Sequence, residues 1–261
     1  MRIMNPLIDT HCHLNSPDFA ADLPDVLRRA CEAGVERLVC VGYDMESSVR
    51  AVELANEFAE ISAVVGIHPH DADTLTPEAE DQLRSLASNR GCVVGIGETG
   101  LDYYRNLSPR EVQQQAFRRH IRLAQELELP LVIHSRDAGE DVLNVLREEG
   151  MPARGVVMHC MPGDADFARG SIELGCYVGI DGPVTFKNAQ VLYEIVGGLP
   201  IERILLETDC PYLTPHPYRG KRNEPSYLPL IAAKVAEAQG LTVEEVSAMT
   251  TANARKLFGL D

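Results

Sequence analysis

At 261 residues, 45% of them hydrophobic, the chain is long enough to close one large α/β barrel around a sizeable core. A net charge of −15, from 24 basic and 39 acidic residues, excludes a protein that holds nucleic acid through a broad basic surface. It leaves room for an enzyme that grips phosphate locally through divalent cations and a few basic side chains.

No basic leader precedes an apolar run, and no apolar stretch approaches the roughly 20 residues that cross a bilayer. A cytoplasmic protein with no membrane partner and no obligate protein partner is expected. The seven cysteines stand singly, without CxxC spacing, and read as reduced, mostly buried thiols.

Strand-like apolar runs end near Asp9, Val41, Ile67, Gly97, His134, His159, Ile180 and Glu207. Amphipathic stretches of helical length follow, at 23–33, 46–59, 77–88, 109–127, 138–149, 164–174, 188–196 and 226–239. Eight such alternations predict an α/β fold, a (β/α)8 TIM barrel forming a single domain over 1–261, with a C-terminal helical extension. Thr76-Pro77 and Ser108-Pro109-Arg110-Glu111 carry a capping hydroxyl followed by proline at the first helical position. Thr242 to Glu245 opens a terminal helical pair whose Val246, Met249, Leu257 and Phe258 are expected to dock beneath the barrel. A doubly wound sheet would gather its ligands at one crevice; here candidate ligands come from strands all around the set. GIGETG after the fourth run lacks the spacing of a phosphate-cradling glycine loop, with Glu98 in its middle.

The candidate ligands are His11 and His13 in DTHCH, Glu98 in GIGETGLD, His134 in LVIHSRD, His159 in VVMHC and Asp209 in LLETDCP. His11 and His13, one residue apart, project from the same face of an extended segment and can bind one cation together. Glu98 follows an apolar strand in which an uncompensated carboxylate would cost several kcal/mol, and its two oxygens suit it to bridge two metals. His134 and His159 end successive strands and can share a cation. Asp209 and Glu207, two residues apart, face the same way if the eighth strand stays regular. Asp209 suits a ligand that also takes a proton from water; Glu207 reads equally as a catalytic acid or as an outer-shell orienter. Cys12, Cys160 and Cys210 adjoin these ligands, and strand alternation turns them away. Mixed nitrogen and oxygen donors suit zinc, manganese, cobalt or iron better than magnesium. Two such ions about 3.5–4 Å apart activate a bridging water and clamp both oxygens of a displacement.

At DTHCHL, GIHPH, GETGLDYY, HSRDA, TFKNA, ETDCPYL and RGKRNEP the chain resembles the TatD family of metal-dependent deoxyribonucleases, within the amidohydrolase-like barrels. The likeness runs from Ile8 to Phe258, with the motifs in family order. It implies that His11, His13, Glu98, His134, His159 and Asp209 hold two divalent ions per chain (magnesium, manganese or zinc), with Glu98 where many amidohydrolases place a modified lysine. It also implies hydrolysis of phosphodiester bonds at single-stranded DNA ends by metal-activated water, or, in some relatives, removal of D-amino acids from tRNA.

DNA ends, bound weakly, are therefore the expected partner. Arg136, two residues past His134, is placed to grip phosphate; Lys187, Arg219, Lys221 and Asn223 lie in loops after the seventh and eighth strands. His68 and His70 share one face and suit a hydrogen bond to a phosphate, while His120, between Arg118 and Arg122, reads as surface. Tyr103 and Tyr104 suit either stacking on a base or packing. The cations Arg136, Lys187 and Arg219 at the mouth favour a phosphodiester over a small amide or an aminoacyl ester, and the complete ligand set speaks against a silent scaffold.

Overall fold

The computed structural model describes residues 6–89 and 91–260. Its strands are β1 (Leu7–Cys12), β2 (Val35–Val41), β3 (Ile61–Val65), β4 (Val93–Asp102), β5 (Leu131–Arg136), β6 (Val156–Met158), β7 (Tyr177–Ile180) and β8 (Ile204–Leu206). They form one sheet in sequence order, each paired in parallel with the next. The circuit returns on itself where His13 N donates to Cys210 O (2.8 Å) and Asp209 N donates to His11 O (2.9 Å), just past β8. The helices are α1 (Leu23–Glu32), α2 (Met45–Glu57), α3 (Pro77–Ala87), α4 (Arg110–Glu126), α5 (Gly139–Glu149), α6 (Ala165–Glu173), α7 (Gln190–Gly198), α8 (Leu228–Gln239) and α9 (Val243–Phe258). None of them is long and apolar enough to cross a membrane.

The strands are buried on both faces, as a parallel sheet wrapped by helices requires. One set of alternate residues, including Leu7, Leu38, Leu131, Ile133 and Leu206, packs within the large helix-bearing core. The other set, Ile8, Val39, Val64, Val132, Val157 and Leu205, packs with Ala254, Leu257 and Phe258 of α9 and with Leu260. The C-terminal helix is anchored at the N-terminal end of the barrel: Thr251 Oγ1 donates to Pro6 O (2.7 Å) and Asn253 Nδ2 to Ile204 O (2.9 Å). With that end sealed by an apolar plug, the opposite end is left for the site.

Three local expectations change. The terminal helical pair is one helix, α9, opened by the capping box of Thr242 and Glu245. Thr76 caps α3 as expected, through Ala79 N. Ser108 does not cap α4; its hydroxyl donates to His70 O (2.8 Å) and α4 starts after Pro109. His120 is buried rather than at the surface. It sits on the face of α4 that carries Phe117, Ile121 and Ala124, and its Nε2 accepts the Ile67 N–H at 3.1 Å. Burial holds it neutral by lowering its pKa to about 4, and the bond steadies the backbone immediately before His68.

Candidate metal centre

At the C-terminal ends of the strands a pocket of about 1020 Å³ is lined by His13, His68, Glu98, His134, His159 and Asp209 among others. β1 carries His11 and delivers His13 just past its end; β4 and β5 carry Glu98 and His134 within them; His159 and Asp209 lie one and three residues beyond β6 and β8. Glu98 stands at the centre. Its Oε2 lies 3.4 Å from His11 Nε2 and 3.8 Å from His13 Nε2, while its Oε1 lies 3.1 Å from His134 Nδ1 and 3.6 Å from His159 Nε2. Asp209 Oδ1 completes the first set, 3.2 Å from His13 Nε2 and 3.8 Å from His11 Nε2.

The proton positions show why a cation fits. His13 Nδ1 donates to Val41 O at 2.9 Å, His159 Nδ1 to Glu207 Oε1 at 2.9 Å, and His134 Nε2 to Asp102 Oδ2 at 3.3 Å. Each neutral ring then turns a lone pair toward Glu98 or Asp209, and His11 Nε2 faces His13 Nε2 at 3.3 Å. Lone pairs facing carboxylate oxygens repel unless positive charge lies between them, and imidazole nitrogen with carboxylate oxygen is a donor set that divalent transition ions accept. The buried carboxylates likewise favour positive charge among these rings. Burial lowers a histidine pKa, and does so for His11; at His159, Glu207 and Glu98 overcome burial and raise it to about 10. Distances group His11 with Glu98 and His159, and His11 with His13 and Asp209, as sets able to hold an ion.

His68 differs from the other four rings. It also groups by distance with Glu98 and His134, but its Nδ1 accepts the His70 N–H at 3.2 Å. Its proton therefore sits on Nε2, 3.6 Å from Glu98 Oε1, and burial holds the ring neutral by lowering its pKa well below the usual histidine value. His68 thus presents a donor to the pocket where its neighbours present lone pairs. His70 also lines the pocket, with Nε2 2.8 Å from Asp102 Oδ2.

Glu207, expected among the catalytic acids, does not line the pocket. β8 ends at Leu206, so strand alternation no longer governs, and Asp209 takes a left-handed φ of 54° that turns it inward. Glu207 is buried behind His159, accepting from its Nδ1 and from Cys160 N at 2.6 Å. Its carboxylate contacts the His159 ring from outside the pocket. Cys160, expected to face away, lines the pocket because β6 has already ended; Cys12 and Cys210 are buried, Cys12 donating to Val39 O. Asp9 ties β1 to the segment after β8 by accepting from Thr208 N (3.0 Å) and Thr208 Oγ1 (2.6 Å).

Of the expected substrate contacts, Arg136 reaches the pocket wall, its guanidinium 4.0 Å over the ring of Tyr104. Lys187, Arg219 and Lys221 are exposed and do not line the pocket. Asn223 is turned away: fully buried, it donates to Thr208 O and Tyr212 O and shapes the loop after β8. Tyr103 packs, its hydroxyl donating to Asp141 at 2.7 Å. Sequence reasoning missed Asp102, Arg105 and Asp181. Asp102 bridges His70 and His134 and accepts from Arg105 N at 2.7 Å. Asp181 is buried with both carboxylate oxygens unpartnered among the described residues, and burial with the nearby Glu207 and Asp209 raises its pKa to about 8. The signal for Asp181 was its place directly after the seventh apolar run.

A (β/α)8 barrel that gathers histidines and carboxylates around one buried glutamate at its C-terminal mouth defines a metal-dependent hydrolase. Comparison with known proteins makes this specific. The model of the TatD-related DNase family matches residues 8–259, and the chain belongs to that family. It is 47% identical over 255 residues to the uncharacterized metal-dependent hydrolase YabD of Bacillus subtilis, covering 98% of this chain and 100% of YabD. It is 37% identical over 257 residues to the 3'-5' ssDNA/RNA exonuclease TatD of Salmonella typhimurium, covering 97% of this chain and 98% of that one. The crystal structure of YJJV, a TatD homologue from Escherichia coli, superposes with a TM-score of 0.93 at 28% identity, covering 98% of both chains.

Proposed function

We propose that this hydrolase trims single-stranded DNA from its ends, cleaving phosphodiester bonds at a site whose residues would hold two divalent ions. The observation that carries the reading is the split of Glu98: one oxygen faces His11 and His13, the other His134 and His159. His11, His13 and Asp209 would hold one ion, His134 and His159 the other, with Glu98 shared. Bound divalent ions supply Lewis-acid activation of water and neutralise charge on the phosphoryl oxygens.

The chain's own residues do the rest. Asp209, buried at the pocket floor beside His13, takes the proton of the attacking water as its oxygen bonds phosphorus and the ester P–O bond breaks; the proton leaves with the released alcohol. His68 donates its Nε2 proton as a hydrogen bond to a phosphoryl oxygen, an interaction that strengthens as charge develops there. Asp102 and Glu207 fix the rings of His134 and His159. Arg105 and Arg136 on the pocket wall supply positive charge for phosphate that an amide substrate does not need. That the Salmonella relative is a 3'-5' ssDNA/RNA exonuclease supports the same substrate class.

Metal-reconstituted protein incubated with end-labelled single-stranded DNA, duplex DNA and a D-aminoacyl-tRNA tests this on one gel. A ladder shortening from the ends of the single strand, abolished by chelator, is expected. Release of the amino acid with intact DNA would instead assign the site to the acyl bond.

A further inference from the structure

Two guanidinium groups at the mouth sit over aromatic rings. Arg136 sits 4.0 Å over Tyr104, and Arg219 sits 4.2 Å over Phe186. In each stack one member lines the pocket and its partner stands outside it: Arg136 and Phe186 are on the wall, Tyr104 and Arg219 beyond it. Each stack therefore leads from the metal centre out to the surface. Tyr104 follows β4 and Arg136 ends β5, while Phe186 follows β7 and Arg219 follows β8. In a circuit of eight strands, β4 and β8 are four strands apart and β5 and β7 two, so the stacks stand on different sides of the mouth.

Several arginines of this acidic chain are tied to carboxylates, as Arg84 is to Glu80, Asp81 and Glu126, and Arg118 to Glu148 and Glu149. Neither Arg136 nor Arg219 has a carboxylate partner among the described residues, although the chain carries 39 acidic residues. Tyr104 is 61% exposed, a large apolar ring left in water with a cation on one face. A guanidinium spread on a ring keeps its edge N–H groups free for phosphate, and its stack offers a flat surface to a base. Bases of any sequence stack on such surfaces.

We propose that the Tyr104–Arg136 and Phe186–Arg219 stacks are base platforms that hold the nucleotides on either side of the scissile phosphate, so that a single strand crosses the mouth from the β4 side to the β8 side. This rests on the phosphodiesterase reading and adds the path of the strand. A duplex, whose bases are already stacked on each other, cannot use either platform without opening.

The test compares Tyr104→Ala, Arg219→Ala and Tyr104→Trp with wild type on a single-stranded octanucleotide and a dinucleotide, using the metal-loaded full chain. For the octanucleotide, KM should rise about tenfold in each alanine variant, the loss expected for one stacked base, with kcat largely kept. The defect should shrink on the dinucleotide, which cannot reach both platforms, and Tyr104→Trp should restore KM. An octanucleotide KM equal to wild type in both alanine variants would overturn the platforms. So would a defect of equal size on both substrates, which would place the effect at the metal centre. Wild-type protein that cleaves neither substrate would instead refute the phosphodiesterase reading, a result distinguishable from loss of the platforms alone.

Discussion

Gly179 in β7 is the most economical place to disturb the centre without touching a ligand. A Cβ built there lies 2.2 Å from Glu207 Oε2, 2.4 Å from its Cδ and 2.6 Å from Oε1. Ordinary contact needs well over 3 Å, so Gly179→Ala must drive the carboxylate back by about 1 Å. Glu207 is a flexible side chain, but it is 1% exposed and its Oε1 is held by His159 Nδ1 and Cys160 N, so retreat means loss of those bonds. Hydrogen bonds to a charged group contribute about 1.5–3 kcal/mol each, and disturbing a metal ligand's outer partner typically weakens ion binding by about 10–100-fold. The variant should lose about 2 kcal/mol of stability, a Tm drop of roughly 4–8 °C in a chain of this size. Calorimetric titration should show the ion bound through His159 weakened by about tenfold or more, with the ion on His11 and His13 less affected. Both affinities and Tm at wild-type values would refute the claim that Glu207 holds His159 in place.

His134→Ala and Asp209→Asn should each abolish hydrolysis with a circular-dichroism spectrum like wild type, since the apolar core lies beneath the ligands; full activity in either, at verified metal content, sinks the assignment. Glu98→Gln should lose or greatly weaken one of two ions in a metal titration and most of the turnover, whereas two unchanged sites would reduce Glu98 to a structural residue. Lys221→Ala should weaken DNA use without changing metal content, and wild-type activity should fall only shallowly with salt, because few phosphates are neutralised; a steep slope contradicts local grip. Glu224, buried and tied to Arg29 of α1 at 2.7 Å, is held below the ordinary glutamate value by Arg29 and Ser226 against the opposing effect of burial. A depressed pKa gives stability that is present above the unfolded value near 4.5 and lost as pH falls through the folded one. Glu224→Gln should therefore flatten the acid limb of Tm against pH below that point while lowering Tm at neutral pH, and an unchanged acid limb counts against the pair.

The architecture was legible because a parallel sheet buried on both faces writes each strand as an unbroken apolar run, and ligands that end such runs have nowhere to point but the mouth. His11, His13, Glu98, His134, His159 and Asp209 were singled out that way, and the structure places their side chains together around Glu98. Period-two reasoning failed where strands stop short. β8 ends before Glu207 and β6 before His159, so neither the inward Asp209, the backward Glu207 nor the pocket-facing Cys160 follows alternation. His120 was misread because charged neighbours at Arg118 and Arg122 outweighed its helical spacing from Phe117 and Ala124. Asn223 looked like part of a solvated basic run, yet its amide satisfies two carbonyls of a buried turn, a demand that only the folded loop reveals. Asp102 lay in plain view in GETGLDYY, but its role depends on His70 and His134 arriving from other strands.

Diffraction from manganese-loaded crystals, recorded at the manganese absorption edge with a non-hydrolysable phosphorothioate oligonucleotide bound, tests the two-ion claim most directly. Two anomalous peaks are predicted, one contacted by His11, His13 and Asp209, the other by His134 and His159, with Glu98 touching both and the phosphorothioate between them and Arg136. A single peak, or two peaks that leave Glu98 without contact to either, would contradict it.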